Sequence, residues 1–125
     1  MRPDPRAVGR WDAERGAGTV ATVGLAAATL CLAALLTPLA TAAVARHRAA
    51  AAADAAALAA AAASAGLVAA PDGAPCGLAA VLAERHGAVL RGCRIEPGSA
   101  TVEVAVGTAF GPLVVRATAG DPGEA

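Results

Sequence analysis

The sequence has few of the residues that usually build a protein core or a catalytic site. It has no lysine and no tyrosine, and Trp11 and Phe110 are its only large aromatic residues. Such side chains, together with large aliphatic ones, bring most of the buried apolar area of a protein, so we expect no sizeable core. The net charge of zero excludes a bulk electrostatic attraction to nucleic acid. There is no CxxC motif, and the two histidines are not at metal-ligand spacing with the cysteines, so no metal site and no cofactor are predicted.

An uncharged stretch dominates the first half of the chain. It runs from Gly16 to Ala45, with Arg15 before it and Arg46 after it. About 20 helical residues, each rising ~1.5 Å, cross the ~30 Å core of a bilayer, so the stretch predicts a transmembrane helix over 16–45. Pro38 is expected to kink this helix.

Basic residues are more numerous before the uncharged stretch than just after it. Residues 1–15 hold four arginines and two prolines and are expected to form a mobile, polar leader. Only Arg46 and Arg48 follow the stretch closely. Because basic residues near a membrane helix favour the cytoplasmic side, the sequence predicts a single-pass protein of the cell membrane. Its N-terminus would be cytoplasmic and its C-terminal domain extracytoplasmic.

A cleavable signal peptide is the alternative interpretation of the same stretch. The segments Ala40-Thr41-Ala42 and Ala43-Val44-Ala45 have the small-residue pattern of a cleavage site. Cleavage after Ala42 or Ala45 would release a small secreted binding module. The apolar region of a signal peptide usually has about 7–15 residues, and this stretch is longer, which favours a retained helix.

Small residues in the predicted helix and in its continuation would allow close packing against other helices. Gly24 and Ala28 form a small-xxx-small pair that allows two membrane helices to approach closely. Residues 46–70 are rich in alanine, the best helix former, and predict that the helix continues as a rod ending near Gly66. The rod either packs against like helices or is a solvated spacer. Its single acid, Asp54, either pairs with an arginine of a neighbouring subunit or is solvated.

Residues 71–119 predict a small α+β domain. A helix is indicated at Gly77–His86, with Gly87 placed to end it, and strands are indicated at Ala88–Glu96, Thr101–Val106 and Leu113–Thr118. Alternation along the second strand places its valines on one face: Val102, Val104 and Val106. Pro97-Gly98 is typical of a turn between the first two strands. The prediction is one helix on a three-stranded, antiparallel sheet, followed by a disordered tail at 120–125.

The cysteines have two predicted roles. Cys31 lies within the uncharged stretch, where it acts as a small hydrophobe. Cys76 and Cys93 are predicted to form a disulfide, provided that this part of the chain lies outside the cytoplasm. Closing that loop would add about 3 kcal/mol of stability and would tie the start of the short helix to the first strand.

No catalytic constellation is found, so the chain is predicted not to be an enzyme. Neither Ser64 nor Ser99 stands in a nucleophile elbow. Strict alternation along the first strand places Arg91 and Arg94 on opposite faces, so no basic patch is expected there.

Two motifs, with the small cysteine-bearing domain that follows them, resemble a known family. They are RGAGTV at residues 15–20 and RHRAAAAADAAALAAA at residues 46–61. The chain resembles the TadE/TadG-like pseudopilins of tight-adherence (Flp) pilus systems. It is most similar to the short actinobacterial TadE-like proteins of the helicase/secretion neighbourhood type.

The resemblance implies a minor, pilin-like membrane component of a pilus or secretion apparatus. Its partners would be other pilin-like or secretion-apparatus proteins. A prepilin-type peptidase would cut the leader after Gly16 or Gly18. Pilin-like proteins often carry a glutamate five residues after the cut, and this chain has Ala21 or Val23 there.

Overall fold

The computed structural model describes residues 5–121, with side chains from residue 16 onward. In chain order the elements are helix α1 (Pro5–Ser64), a 3-10 turn (Pro71–Gly73), helix α2 (Pro75–Arg85), and strands β1 (Val89–Glu96), β2 (Ser99–Thr108) and β3 (Gly111–Gly120). The predicted α+β fold, with a long N-terminal helix, a short helix and a three-stranded antiparallel sheet, is confirmed. The contacts divide the chain into two units between Ala40 and Thr41, and residues 41–125 are called the C-terminal unit below.

Helix α1 begins earlier than the sequence argument predicted. It starts at Pro5, so residues 5–15 are helical although prolines were expected to oppose a helix there. The mobility of the leader stays a prediction. A proline is accommodated in the first turn of a helix, because its missing N–H would have no intrahelical partner there. The helix also runs through Pro38 as one element, and a kink at that residue stays a prediction.

The end of helix α1 follows the prediction closely. Gly66 has a φ of +73°, a left-handed conformation that favours glycine. The N–H of Gly66 donates to the carbonyl oxygen of Ala63 at 3.1 Å, and the N–H of Leu67 donates to that of Ala62 at 2.9 Å. This pair of bonds is a Schellman motif, which satisfies carbonyl groups that the helix end leaves open. Gly87 ends helix α2 in the same way, as predicted.

The alanine-rich part of α1 supplies one layer of the core. Its buried side chains recur every three or four residues and so form one face of the helix: Ala49, Ala52, Ala53, Ala56, Ala57 and Ala60. Five of them, from Ala52 onward, belong to one cluster with Ala79 and Ala83 of α2 and with Val102 and Val104 of β2. The rod therefore packs within its own chain. Neither a solvated spacer nor a helix packed only against like helices describes this face.

The sheet has the order β1-β2-β3 with both pairs antiparallel. Val102 and Val104 on the central strand are fully buried, and Val106 packs against the cluster, so the predicted inward face of β2 is confirmed. Strand β3 extends to Gly120, beyond the predicted strand end at Thr118 and into the segment predicted as a disordered tail. Residues 122–125 of that tail lie outside the described residues.

A disulfide joins the helical layer to the sheet. Cys76 in the first turn of α2 and Cys93 in β1 are bonded, with an S–S distance of 2.03 Å and a Cα–Cα distance of 5.9 Å. The predicted pairing is thus confirmed. The core that it supports is small, as expected, since Val102 and Val104 are the largest fully buried side chains among the described residues.

Candidate functional site

The apolar surface of helix α1 is the candidate site with the largest extent. Every side chain from Gly16 to Val44 is exposed. Nine of them are large and apolar: Val20, Val23, Leu25, Leu30, Leu32, Leu35, Leu36, Leu39 and Val44. Soluble monomers rarely expose an apolar patch larger than a few hundred Å². The helix from Gly16 onward is long and apolar enough to cross a membrane.

Three threonine side chains of this apolar segment are satisfied within the helix. The hydroxyl of Thr22 lies 2.9 Å from the carbonyl oxygen of Thr19, that of Thr29 lies 2.8 Å from Ala26, and that of Thr37 lies 2.7 Å from Ala33. A hydroxyl without a partner is costly in an apolar medium. Donation to the carbonyl of the preceding turn removes most of that cost, so these threonines are compatible with a lipid environment.

The predicted helix-packing pair lies on this exposed surface. Gly24 and Ala28 are both exposed, one turn apart on α1. A Cβ placed at Gly24 would meet nothing within 4 Å, so this face is open to another helix. The pairing of two such faces stays a prediction.

Gly16 and Gly18, the predicted processing positions, are exposed residues within helix α1. The alternative cleavage positions, Ala42 and Ala45, lie in the same helix. All four precede Ala49, the first buried alanine of the C-terminal unit. Cleavage at any of them would therefore leave the core cluster intact.

Asp54 occupies the exposed side of the alanine-rich part of α1. Leu58, one turn later, is 65% exposed. Among the described residues no ion pair involves Asp54. Both predicted roles of Asp54 therefore remain open: pairing with a neighbouring subunit, or solvation.

An apolar cleft at the end of α1 was not predicted from the sequence. It has a volume of about 630 Å³ and lies between the last turns of α1 and the turn that joins β1 to β2. Its apolar wall comes from Leu58, Leu67 and Ile95, and its polar groups include Glu96 and Asp121. These residues are distant in sequence, so only the packing of α1 on the sheet brings them together.

The outward face of the sheet carries paired polar side chains. Arg116 donates to Glu103 at 2.8 Å across β2 and β3, and the hydroxyls of Thr101 and Thr118 lie 2.9 Å apart. The arginine side chain is 70% exposed, so this ion pair adds at most about 1 kcal/mol of stability. The arrangement is that of a solvated sheet face.

The strict alternation from which Arg91 and Arg94 were placed on opposite faces does not hold in β1. The β1–β2 register shifts between Leu90 and Gly92, which makes Arg91 the extra residue of a β-bulge. Leu90 and Cys93 both pack against the core although they are three residues apart, so strict alternation fails between them. Arg94 pairs with Thr101 of the outward face, and Arg91 is exposed at the bulge.

Among residues 16–121, no group of three or more His, Cys, Asp or Glu side chains could hold a metal ion. His47 and His86 are both exposed. The predictions that the chain has no cofactor and is not an enzyme stay predictions.

Comparison with known proteins identifies no relative. No family model matches the chain, and neither a curated protein nor a solved structure matches it.

Proposed function

We propose that the chain is a single-pass, pilin-like membrane protein that serves as a structural component of a tight-adherence pilus or a related secretion apparatus. The observation that carries the proposal is the continuity of helix α1. Its first part exposes only uncharged residues from Gly16 to Val44, and its last part, in the same helix, supplies the alanine face of a disulfide-closed α+β unit.

The dimensions support a membrane span. The uncharged segment has 30 residues, which corresponds to about 45 Å of helix. This exceeds the ~30 Å core of a bilayer, so the segment crosses with residues to spare. The internally bonded threonines lower the cost of placing it in lipid.

The orientation follows from charge and from the disulfide. Four arginines precede the segment, and two follow it closely, which favours a cytoplasmic N-terminus. Disulfides persist in oxidising compartments, and Cys76–Cys93 lies in the C-terminal unit. Both observations favour an extracytoplasmic C-terminal unit.

The assignment to a pilin-like role depends on the resemblance to TadE/TadG-like pseudopilins. The sequence RGAGTV stands at the start of the apolar segment, where a prepilin-type peptidase would cut after Gly16 or Gly18. Glycine and alanine dominate the exposed surface around Gly24 and Ala28, which suits lateral packing against other pilin-like helices. The partners would be other pilin-like or secretion-apparatus proteins.

A secreted binding module is the second candidate function. The observation that favours it is the position of the core, which begins at Ala49. Cleavage after Ala42 or Ala45 would release the whole cluster together with its disulfide and the 630 Å³ cleft.

Reporter fusions test the proposed orientation. Alkaline phosphatase, which is active only outside the cytoplasm, would be fused after Ala125, and a matched fusion would be made after Arg15. The proposal predicts activity for the first fusion, retained in the membrane fraction, and none for the second. An inactive C-terminal fusion that is nevertheless present in the membrane fraction would rule out the proposed orientation, and release of an active fusion into the medium would favour the secreted module.

A further inference from the structure

The hairpin that joins β2 to β3 ends in an exposed aromatic side chain. Its tip, defined here as Ala109–Leu113, contains Phe110, which is 87% exposed. The N–H of Phe110 donates to the hydroxyl oxygen of Thr108 at 3.2 Å, and that hydroxyl donates to the carbonyl of Gly111 at 2.6 Å. These bonds fix the backbone of the tip. The ring is thus largely exposed, although it belongs to the only phenylalanine of the chain.

The hairpin tip lies beside Arg46, at the end of the uncharged stretch of helix α1. A cavity of about 370 Å³ is lined on one side by Ala42, Ala45 and Arg46, and on the other by residues of the hairpin, including Phe110 and Leu113. Arg46 is the first charged residue after Arg15. If α1 spans a bilayer, the tip is therefore level with the C-terminal end of the uncharged segment.

The uncharged segment is longer than the bilayer core, so its length does not determine which of its residues lie in the core. About 45 Å of uncharged helix has to match ~30 Å of hydrocarbon, so roughly ten residues lie outside the core. The helix alone does not determine at which end they lie. A second contact with the membrane, at a known level of the helix, would determine it.

We infer that the hairpin tip is this second contact. On this proposal Phe110 inserts its ring at the headgroup boundary of the leaflet from which α1 emerges, as Phe side chains of interfacial segments do, and Arg46 beside it faces lipid phosphate. The hydrocarbon core is then filled by about 20 residues that end near Ala42 and begin near Val23. The surplus uncharged residues, from Gly16 onward, lie at the other boundary. The inference depends on the proposed membrane span.

Tryptophan fluorescence of the full chain in lipid vesicles tests the inference. Trp11→Phe removes the natural tryptophan, and one tryptophan is then introduced by Phe110→Trp. The vesicles contain phosphatidylcholine and phosphatidylglycerol, with or without lipids that carry bromine near the headgroup end of their acyl chains. The expected result for Phe110→Trp is a blue-shifted emission that the brominated lipids quench by at least half.

Two matched variants serve as controls, one outside the proposed membrane region and one within the proposed span. Leu67→Trp replaces a side chain that is 78% exposed and lies beyond the end of α1, about 27 Å along the helix from Arg46. It should not be quenched. Leu30→Trp reports on the span itself and should be quenched by lipids brominated deep in the acyl chains.

The pattern of quenching decides between the two proposals. If Leu30→Trp is quenched and Phe110→Trp behaves like Leu67→Trp, the span exists and the hairpin contact is wrong. If Leu30→Trp is not quenched, the membrane span itself fails. A blue shift of Phe110→Trp without lipid quenching, varying with the ratio of protein to lipid, would show contact with a second copy of the chain and would overturn the inference.

Discussion

Alanine is the residue on which the packing of the C-terminal unit depends. Eight of the thirteen buried hydrophobic residues named for the core lie on the two helices, and all eight are alanine. A face without long side chains lets helix backbones come close to the sheet, so the interior leaves little room for added atoms. Substitutions that enlarge a buried alanine should therefore be more harmful than the loss of most surface interactions.

Ala56 provides the first test of this packing. It is fully buried in the cluster, so Ala56→Leu should lower the free energy of unfolding of the C-terminal unit by about 1–3 kcal/mol through overpacking. Hydrogen exchange of the β2 amides in the full chain would measure this as roughly fivefold or faster exchange. Ala51→Leu is the matched control, since Ala51 is exposed on the same helix. Equal exchange rates in the two variants would contradict the buried face.

Gly120 provides a second test of the packing at the residue scale, because the backbone of β3 at this residue lies close to the backbone at Gly98 and Ser99. A Cβ at Gly120 would lie 2.6 Å from the Cβ of Ser99 and would also collide with the carbonyl oxygen of Gly98. Gly120→Ala should thus destabilise the end of the sheet by about 1–3 kcal/mol. Gly107→Ala is the control, because its Cβ would meet nothing within 4 Å. Thermal unfolding of both variants should show a lower midpoint temperature for Gly120→Ala alone, and similar midpoints would argue against the β2–β3 register.

At the scale of elements, the sequence predicted which helices, strands and turns form better than it predicted which of them pack together. The helix ends at Gly66 and Gly87 and the Pro97-Gly98 turn depend on local chemistry, so they could be read from adjacent residues. The inward face of β2 could be read from alternation. The start of α1 at Pro5 was missed because proline was treated only as a helix breaker.

The buried face of α1 could not be read in this way. Alanine occupies the buried and exposed sides of the rod alike, so no contrast in hydrophobicity marks the face. Asp54 and Leu58, one turn apart, gave the one available signal, since both lie on the exposed side. The bulge at Arg91 was missed for a related reason, because an extra residue in a strand leaves no mark in the pattern of residue types.

The disulfide provides the test at the scale of elements, because it joins α2 to β1. The combined substitution Cys76→Ser and Cys93→Ser should reduce the stability of the C-terminal unit by about 3 kcal/mol, since the open chain gains conformational entropy when unfolded. Exchange of the β2 amides should become more than tenfold faster. Cys31→Ser is the control, because Cys31 is a free, exposed cysteine of α1 and should leave exchange unchanged. No difference between the variants would show that the core alone is sufficient.

At the scale of the whole molecule, two parts of helix α1 suit two different environments. Residues 16–44 expose apolar side chains that suit lipid, and residues 49–60 of the same helix bury alanines against a sheet. The sequence predicted the first of these roles from the absence of charge over a long stretch. It did not predict the second, because the contacts join residues that are tens of positions apart and of the smallest apolar type.

Membrane fractionation with N-terminal sequencing of the expressed full chain tests whether α1 is retained as a membrane span. We expect the protein to stay in the membrane after an alkaline wash, because α1 is not removed. Its first residue should be Met1, or Ala17 or Thr19 if a prepilin-type peptidase cuts after Gly16 or Gly18. A soluble product that begins at Ala43 or Arg46 would contradict the account and establish the secreted module in its place.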